Sequence, residues 1–280
     1  MGVGADGLRR ALLATLAAVV VAGCGGPGDP RPPSPSPVQE DREPGEHWRP
    51  RPGQPWQWQL SGRVDTSVDV PVYDIDGFEN DASVVAELHA AGRKVICYVN
   101  AGAWEEYRPD ADRFPDSVLG EGNGWAGERW LDIRRLDVLR PLMAARFDMC
   151  ADKGFDAVEP DLMDGFANDT GFDLTAQDQL TYNRMLAALA HERGLAVGLK
   201  NDVEQIPELL PDFDFAVNEE CAENGECADL RPFTTAGKAV FHVEYELPPS
   251  AFCRQSRRLH LSSMRKRLDL GVWREACRWP

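Results

Sequence analysis

Eight short runs of β-branched and apolar residues, separated by stretches of helical period, leave this chain few folds to choose from. The runs fall at residues 56–60, 70–75, 94–100, at the head of 154–166, and at 195–200, 213–218, 239–245 and 259–264, the last being the weakest. Helical spacing is strongest through Val84, Val85, Leu88 and His89, over about 138–153, and over 175–193, where Gly194 closes the run. A long excursion over 102–133 interrupts the rhythm after the third strand. Strands alternating with helices predict a parallel sheet, and eight of them within residues 53–280 predict a single (β/α)8 TIM-type barrel. A doubly wound open sheet is the alternative.

The strand ends carry the functional signal. They finish in Asp74 and Asp76, in Tyr98 and Asn100, in Glu159 and Asp161, in Lys200, in Asn218, Glu219 and Glu220, and in Glu244 and Tyr245. In a barrel these groups converge on one mouth, where active sites of this architecture lie. Any one of them alone reads as a cap or turn residue; six strands ending this way point to a site. The stretch 154–166 is the sharpest, with Glu159 and Asp161 on one face of a strand and Asp164 close behind. A ring of carboxylates with one lysine and several aromatics suits glycoside hydrolysis, which uses one carboxyl as acid and another as base or nucleophile.

The N-terminus speaks to compartment. Arg9 and Arg10 precede an apolar run over 11–22 that is too short to span a bilayer, and Val21-Ala22-Gly23-Cys24 resembles a bacterial lipoprotein signal with Cys24 as the lipid acceptor. Residues 1–23 are therefore expected to be a signal peptide. Residues 24–52, rich in proline and serine, are expected to be a disordered spacer, extended at about 3.1 Å per residue where it is proline-rich. The expected location is the outer face of a bacterial membrane, or secretion, with membrane contact only through the lipid.

Six cysteines remain in the domain, an even number that in an exported chain suggests disulfides. Of 15 pairings we expect Cys221–Cys227, Cys97–Cys150 and Cys253–Cys277. No glycine-rich phosphate loop follows a strand, no Gly-x-Ser-x-Gly elbow occurs and no residue grouping has metal spacing, so neither cofactor nor metal is expected. A formal charge of −16 argues against nucleic acid as a partner. The domain is expected to be monomeric.

Several of these segments together resemble glycoside hydrolase family 114, the endo-α-1,4-polygalactosaminidases. They are Trp-Gln-Trp-Gln-Leu-Ser-Gly at 56–62, Val-Ile-Cys-Tyr-Val-Asn-Ala-Gly at 95–102 and Gly-Trp-Ala-Gly-Glu-Arg-Trp-Leu-Asp-Ile at 124–133. Val-Glu-Pro-Asp-Leu-Met-Asp-Gly-Phe at 158–166, Gly-Leu-Lys-Asn-Asp at 198–202, Asn-Glu-Glu-Cys at 218–221 and Val-Glu-Tyr at 243–245 follow in order. The resemblance covers nearly all of 56–280 and implies a (β/α)8 glycosidase acting on a galactosaminoglycan-type polysaccharide. It places the catalytic acids on Asp161 and Glu219. Where the family usually has Asp-Pro-Asp-Asn, this chain has Glu159-Pro160-Asp161-Leu162, which lengthens one carboxyl arm and removes an amide.

Charge suggests roles. Lys200 ends the strand between those carrying Asp161 and Glu219 and would hold one of them ionised. We take Asp161 as nucleophile or base and Glu219 as acid, the reverse order being open. Asp74, Asp76, Tyr98, Asn100, Glu159, Lys200, Glu244 and Tyr245 are expected to line sugar subsites, and Trp104, Trp125 and Trp130 to stack on sugar faces unless they form a small core under the excursion. The rivals to this function are a glycan-binding barrel without catalysis and a hydrolase of another α-linked polymer.

Overall fold

The computed structural model describes residues 47–278. The expected signal peptide, Cys24 and all but the last six residues of the expected spacer lie outside the described residues. Of those six, His47, Trp48 and Pro50 lie against the barrel. The Ala239 amide donates to the Pro50 carbonyl at 3.2 Å, His47 meets Asp214 at 2.7 Å, and Trp48 packs on Phe215.

The strands are β1 (Trp56–Gln59), β2 (Val72–Asp76), β3 (Lys94–Asn100), β7 (Ala157–Asp161), β8 (Ala196–Lys200), β9 (Phe215–Glu219), β10 (Val240–Glu244) and β11 (Ser262–Arg265). They pair in that order, all parallel, into one curled sheet. The excursion after β3 is not loop but a small antiparallel sheet of β4 (Ala103–Glu105), β5 (Leu119–Gly122) and β6 (Glu128–Leu131), ordered β4-β6-β5. Four helices are substantial: α1 (Ala82–Ala90), α2 (Leu136–Asp152), α3 (Ala176–His191) and α7 (Pro249–Leu259). Thr175 caps α3 reciprocally with Asp178, the local reason that helix starts where it does. Between β8 and β10 the connections hold short 3-10 turns and the short helical turns α4 (Ile206–Leu209), α5 (Cys221–Asn224) and α6 (Arg231–Thr235), and no helix separates β1 from β2.

The backbone ladder runs from β1 to β11 without returning from β11 to β1. The outer edge of β11 is taken by a short antiparallel strand, β12 (Glu275–Ala276). The seam is closed instead by the Trp56 indole, which donates to the Ser262 carbonyl at 2.7 Å, and by the Leu60 and Ser61 amides, which donate to the Leu270 carbonyl at 3.0 and 3.3 Å.

Side chains alternate across the sheet. One face packs Tyr73, Ile75, Cys97, Val158 and Leu199 against the helices. The other fills the barrel with Trp56, Trp58, Ile96, Phe215, Phe241 and Met264. Gly198 is required here, because a Cβ at that position would lie 2.4 Å from the Phe215 ring. All three expected disulfides form: Cys97–Cys150 ties β3 to α2, Cys221–Cys227 closes the turn after β9, and Cys253–Cys277 ties α7 to the C-terminal segment.

Candidate active site

Asp161, Lys200 and Glu219 are the last residues of β7, β8 and β9, three neighbouring strands. The residue after each, Leu162, Asn201 and Glu220, has a positive φ of 59°, 50° and 59°. Non-glycine residues pay about 1 kcal/mol or more for this conformation, so three in a row at a strand-end ring mark a site held in shape by its surroundings. Around Leu162 the fit is tight. Its carbonyl would sit 1.8 Å from a Cβ on residue 102, which is why that position is glycine.

Lys200 is the centre of the cluster and is almost wholly buried. Its Nζ lies 2.8 Å from Asp161 Oδ1, 3.1 Å from Glu159 Oε1 and 3.4 Å from Glu219 Oε2, and 4.8 Å from the centre of the Trp58 ring. Burial opposes the ammonium, yet Asp161, Glu219 and Glu159 hold it charged well above the ordinary lysine range. Burial likewise works against the Asp161 carboxylate. Lys200 overcomes it, aided by the Tyr98 hydroxyl, which donates to Oδ2 at 2.7 Å, so Asp161 is held below the usual carboxylate range. Burial and Asp161 push the Tyr98 phenol well up, which keeps it a donor.

Glu219 is set differently. It is 26% exposed at its side chain, takes a hydrogen bond from the Tyr245 hydroxyl on Oε1 and is 3.3 Å from the Asn201 amide on Oε2. Asp161 and Glu219 both open onto a cavity of about 250 Å³ that is also lined by Trp58, Tyr98, Trp125, Lys200, Asn201 and Tyr245. An adjoining cavity of about 470 Å³ shares Trp125, Asn201, Glu219 and Tyr245 and adds Asp164, Asp202 and Glu204. Burial, with Asp161 nearby, raises Asp164 to about 6, and burial, with Asp164 nearby, raises Asp202 to about 8. A larger groove of about 1030 Å³ runs beside α4 and α6 and holds no part of the lysine–carboxylate cluster.

Several expected subsite residues are elsewhere. Glu159 points into the barrel but lies beneath Lys200, fully buried, accepting the Trp58 indole N–H at 3.1 Å. Asp74 lies near it in the barrel interior, equally buried; burial, then Glu159, pushes its carboxyl well up. Asp76 is engaged by Arg108 at 2.7 Å and by the amides of Phe78 and Glu79, and Asn100 accepts the Ala103 amide at 2.8 Å. Glu244 is on the opposite face of β10 from Tyr245, buried, 2.7 Å from His242 Nε2 and accepting the Ala222 amide. None of these five lines either cavity. Of the tryptophans, Trp130 is 6% exposed and Trp104 donates to the Ala111 carbonyl, both off the cleft, whereas Trp125 is 61% exposed and lines both cavities. Lining residues not foreseen are Glu128 on β6 and Leu268, Asp269 and Leu270 after β11. The run Leu-Asp-Leu carried no chemical signal of its own.

Compared with curated proteins, the chain finds no significant match. Among solved structures it is similar to Aspergillus fumigatus Ega3 in complex with galactosamine, at 42% identity and a TM-score of 0.79, covering 83% of this chain and 98% of Ega3. The glycoside hydrolase domain of PelA from Pseudomonas aeruginosa shares the fold, at 14% identity and a TM-score of 0.62, covering 79% of this chain and 97% of that domain. The profile of glycoside-hydrolase family GH114 matches residues 38–279. With that match and the identity to Ega3, this chain belongs to glycoside-hydrolase family GH114.

Proposed function

We propose that the protein hydrolyses α-1,4-linked galactosamine-type polymers, with Asp161 as nucleophile or base and Glu219 as proton donor. The observation that carries this is one cavity holding two carboxyls in different settings. Asp161 is half-buried, clamped by Lys200 and Tyr98 and held ionised, whereas Glu219 is somewhat more exposed and rests on the Tyr245 hydroxyl and the Asn201 amide. Glycosidases separate the work of their two carboxyls by environment in this way. Ega3, whose structure holds galactosamine, is the relative that supports the sugar.

The acidic annex supports sugars with free amines. Asp164, Asp202 and Glu204 lie beside Glu219, and an ammonium placed there would offset the burial, and the mutual repulsion second to it, that raise the two aspartates. Trp125 offers an exposed aromatic face between the two cavities.

Action outside the cell fits the three disulfides. Within this proposal Cys24 carries a lipid and residues 24–46 act as the tether. The protein works as a monomer. Incubating it with galactosaminoglycans of graded acetylation and sizing the products tests the assignment. Shortened oligomers from the deacetylated polymers are expected. Binding without cleavage would make the barrel a lectin, and cleavage confined to another α-linked polymer would move it to a different substrate.

A further inference from the structure

Between Arg254 and Arg278 the sequence carries eight basic residues and two acidic ones, in a chain of formal charge −16. Part of this excess gathers at one place. Helix α7 buries Phe252, Cys253, Ser256 and Leu259 and turns Arg254 and Arg258, one turn apart, to solvent. Arg257 reaches the Arg278 carbonyl at 3.3 Å, bringing a further exposed arginine alongside. None of these four contacts a carboxylate among the described residues. Elsewhere Arg108, Arg134, Arg146 and Arg193 each do, while Arg63, Arg113, Arg231 and Arg267 are scattered singly without one.

The location gives the patch a direction. α7 runs back from the mouth, and its last residues precede the start of β11, so Arg257 and Arg258 lie at the base of the barrel, opposite the cleft. The chain enters the barrel at the same end. Pro50 bonds Ala239 at the start of β10, the strand next to β11, and Arg49 and Arg51 on either side are exposed. The 46 residues before His47, which include Cys24, therefore lead to the rim that carries the unpaired arginines.

We infer that this basic rim rests on an anionic phospholipid surface, with Arg257, Arg258 and Arg278 at its centre and Arg49, Arg51 and Arg254 around it. Anionic headgroups supply the carboxylate-like partners the fold withholds, and the strong negative charge of the rest of the molecule keeps other faces off the membrane. Docked this way, the base faces the bilayer and the Asp161–Glu219 cleft faces outward. The inference does not depend on the identity of the sugar.

The test compares the full chain with its R257E/R258E/R278E variant by vesicle sedimentation. The vesicles are phosphatidylcholine alone or phosphatidylcholine with roughly one-third phosphatidylglycerol. The N-terminal segment is common to both proteins, so its contribution cancels. The parent is expected to prefer anionic vesicles by at least about tenfold, since each near-surface basic residue is worth about fivefold. Charge reversal, or salt at about 0.5 M, removes that preference. The R257Q/R258Q/R278Q variant should lose an intermediate amount, and glycan cleavage should be unchanged in both variants. Equal binding to both vesicle types, or anionic binding by the reversed variant equal to the parent's, overturns the inference. So does binding of inorganic polyphosphate without binding to vesicles, which would assign the rim to a soluble polyanion.

Discussion

Lys200 Nζ sits 2.8 Å from Asp161 Oδ1, and this contact keeps a half-buried carboxylate charged at the floor of the cleft. Replacing Lys200 with Met removes the cation and leaves three carboxyls crowded together. Asp161 then rises. A base whose pKa is held down is active above that pKa, so the acid limb of kcat/KM should move to higher pH, with a loss of at least about tenfold in rate near neutrality. An acid limb that stays in place would detach Lys200 from the ionisation of Asp161.

Asp161→Asn and Glu219→Gln should each fold and lose about 10²–10⁴-fold or more in kcat, because each removes a charge or a transferable proton while keeping shape. Kinetics on a defined oligomer, alongside thermal melts, checks this. Glu159→Gln should act on stability more than on the chemical step, since that carboxyl is buried under Lys200. Retention of more than about a tenth of the parent rate by Asp161→Asn would put the nucleophile elsewhere.

Stereochemistry follows from the same lysine. The legs from Nζ to Asp161 Oδ1 and to Glu219 Oε2 are 2.8 and 3.4 Å, so those oxygens lie no more than about 6.2 Å apart. Two carboxyls that share one ammonium are closely spaced, which favours the roughly 5–5.5 Å separation of retaining enzymes, and retention is expected. Proton NMR of the first-formed anomer decides it: an α product agrees, a β product does not.

Trp125→Ala should raise KM about tenfold on a polymer while changing kcat little. Its ring is exposed on the wall of the cleft and has no hydrogen bond to either carboxyl, which makes it a source of uniform binding. A fall in kcat with KM unchanged would mean that the ring shapes the reacting centre.

The burial that raises Asp202 to about 8 predicts a pH-dependent effect on stability. The unfolded residue ionises near pH 4, so between about 4 and 8 the folded state binds more protons and stability falls as pH rises. Asp202→Asn keeps the left-handed residue and the contact with Asn183 and removes this titration. The variant should melt higher than the parent at pH 8–9 and lose that advantage by about pH 4. A melting difference independent of pH would refute the assignment.

The order of elements was legible because period 2 and period 3.6 are local properties, and β3 spans the residues its apolar run marks. The Cys221–Cys227 disulfide was legible from its spacing, whereas Cys97–Cys150 and Cys253–Cys277 were one choice among 15 pairings that only the fold brings together. That polar residues ring one end of the sheet also needed only the strand-end pattern. The sequence alone therefore determined the barrel and its mouth, and the family resemblance picked Asp161 and Glu219 out of the carboxylates there. It did not determine depth or face. Strands of a parallel sheet are buried on both sides, so alternation told Glu244 from Tyr245 without saying which points inward. Nor does alternation measure how far down the barrel a side chain sits, which left Asp74 and Glu159 indistinguishable from Asp161. The seam made by Trp56 and Ser262, the choice of Trp125 over Trp130, and the loop at 268–270 join residues far apart in the chain. Only tertiary structure brings them together, because the strands' stagger and the barrel's curl fix which side chains share a cavity.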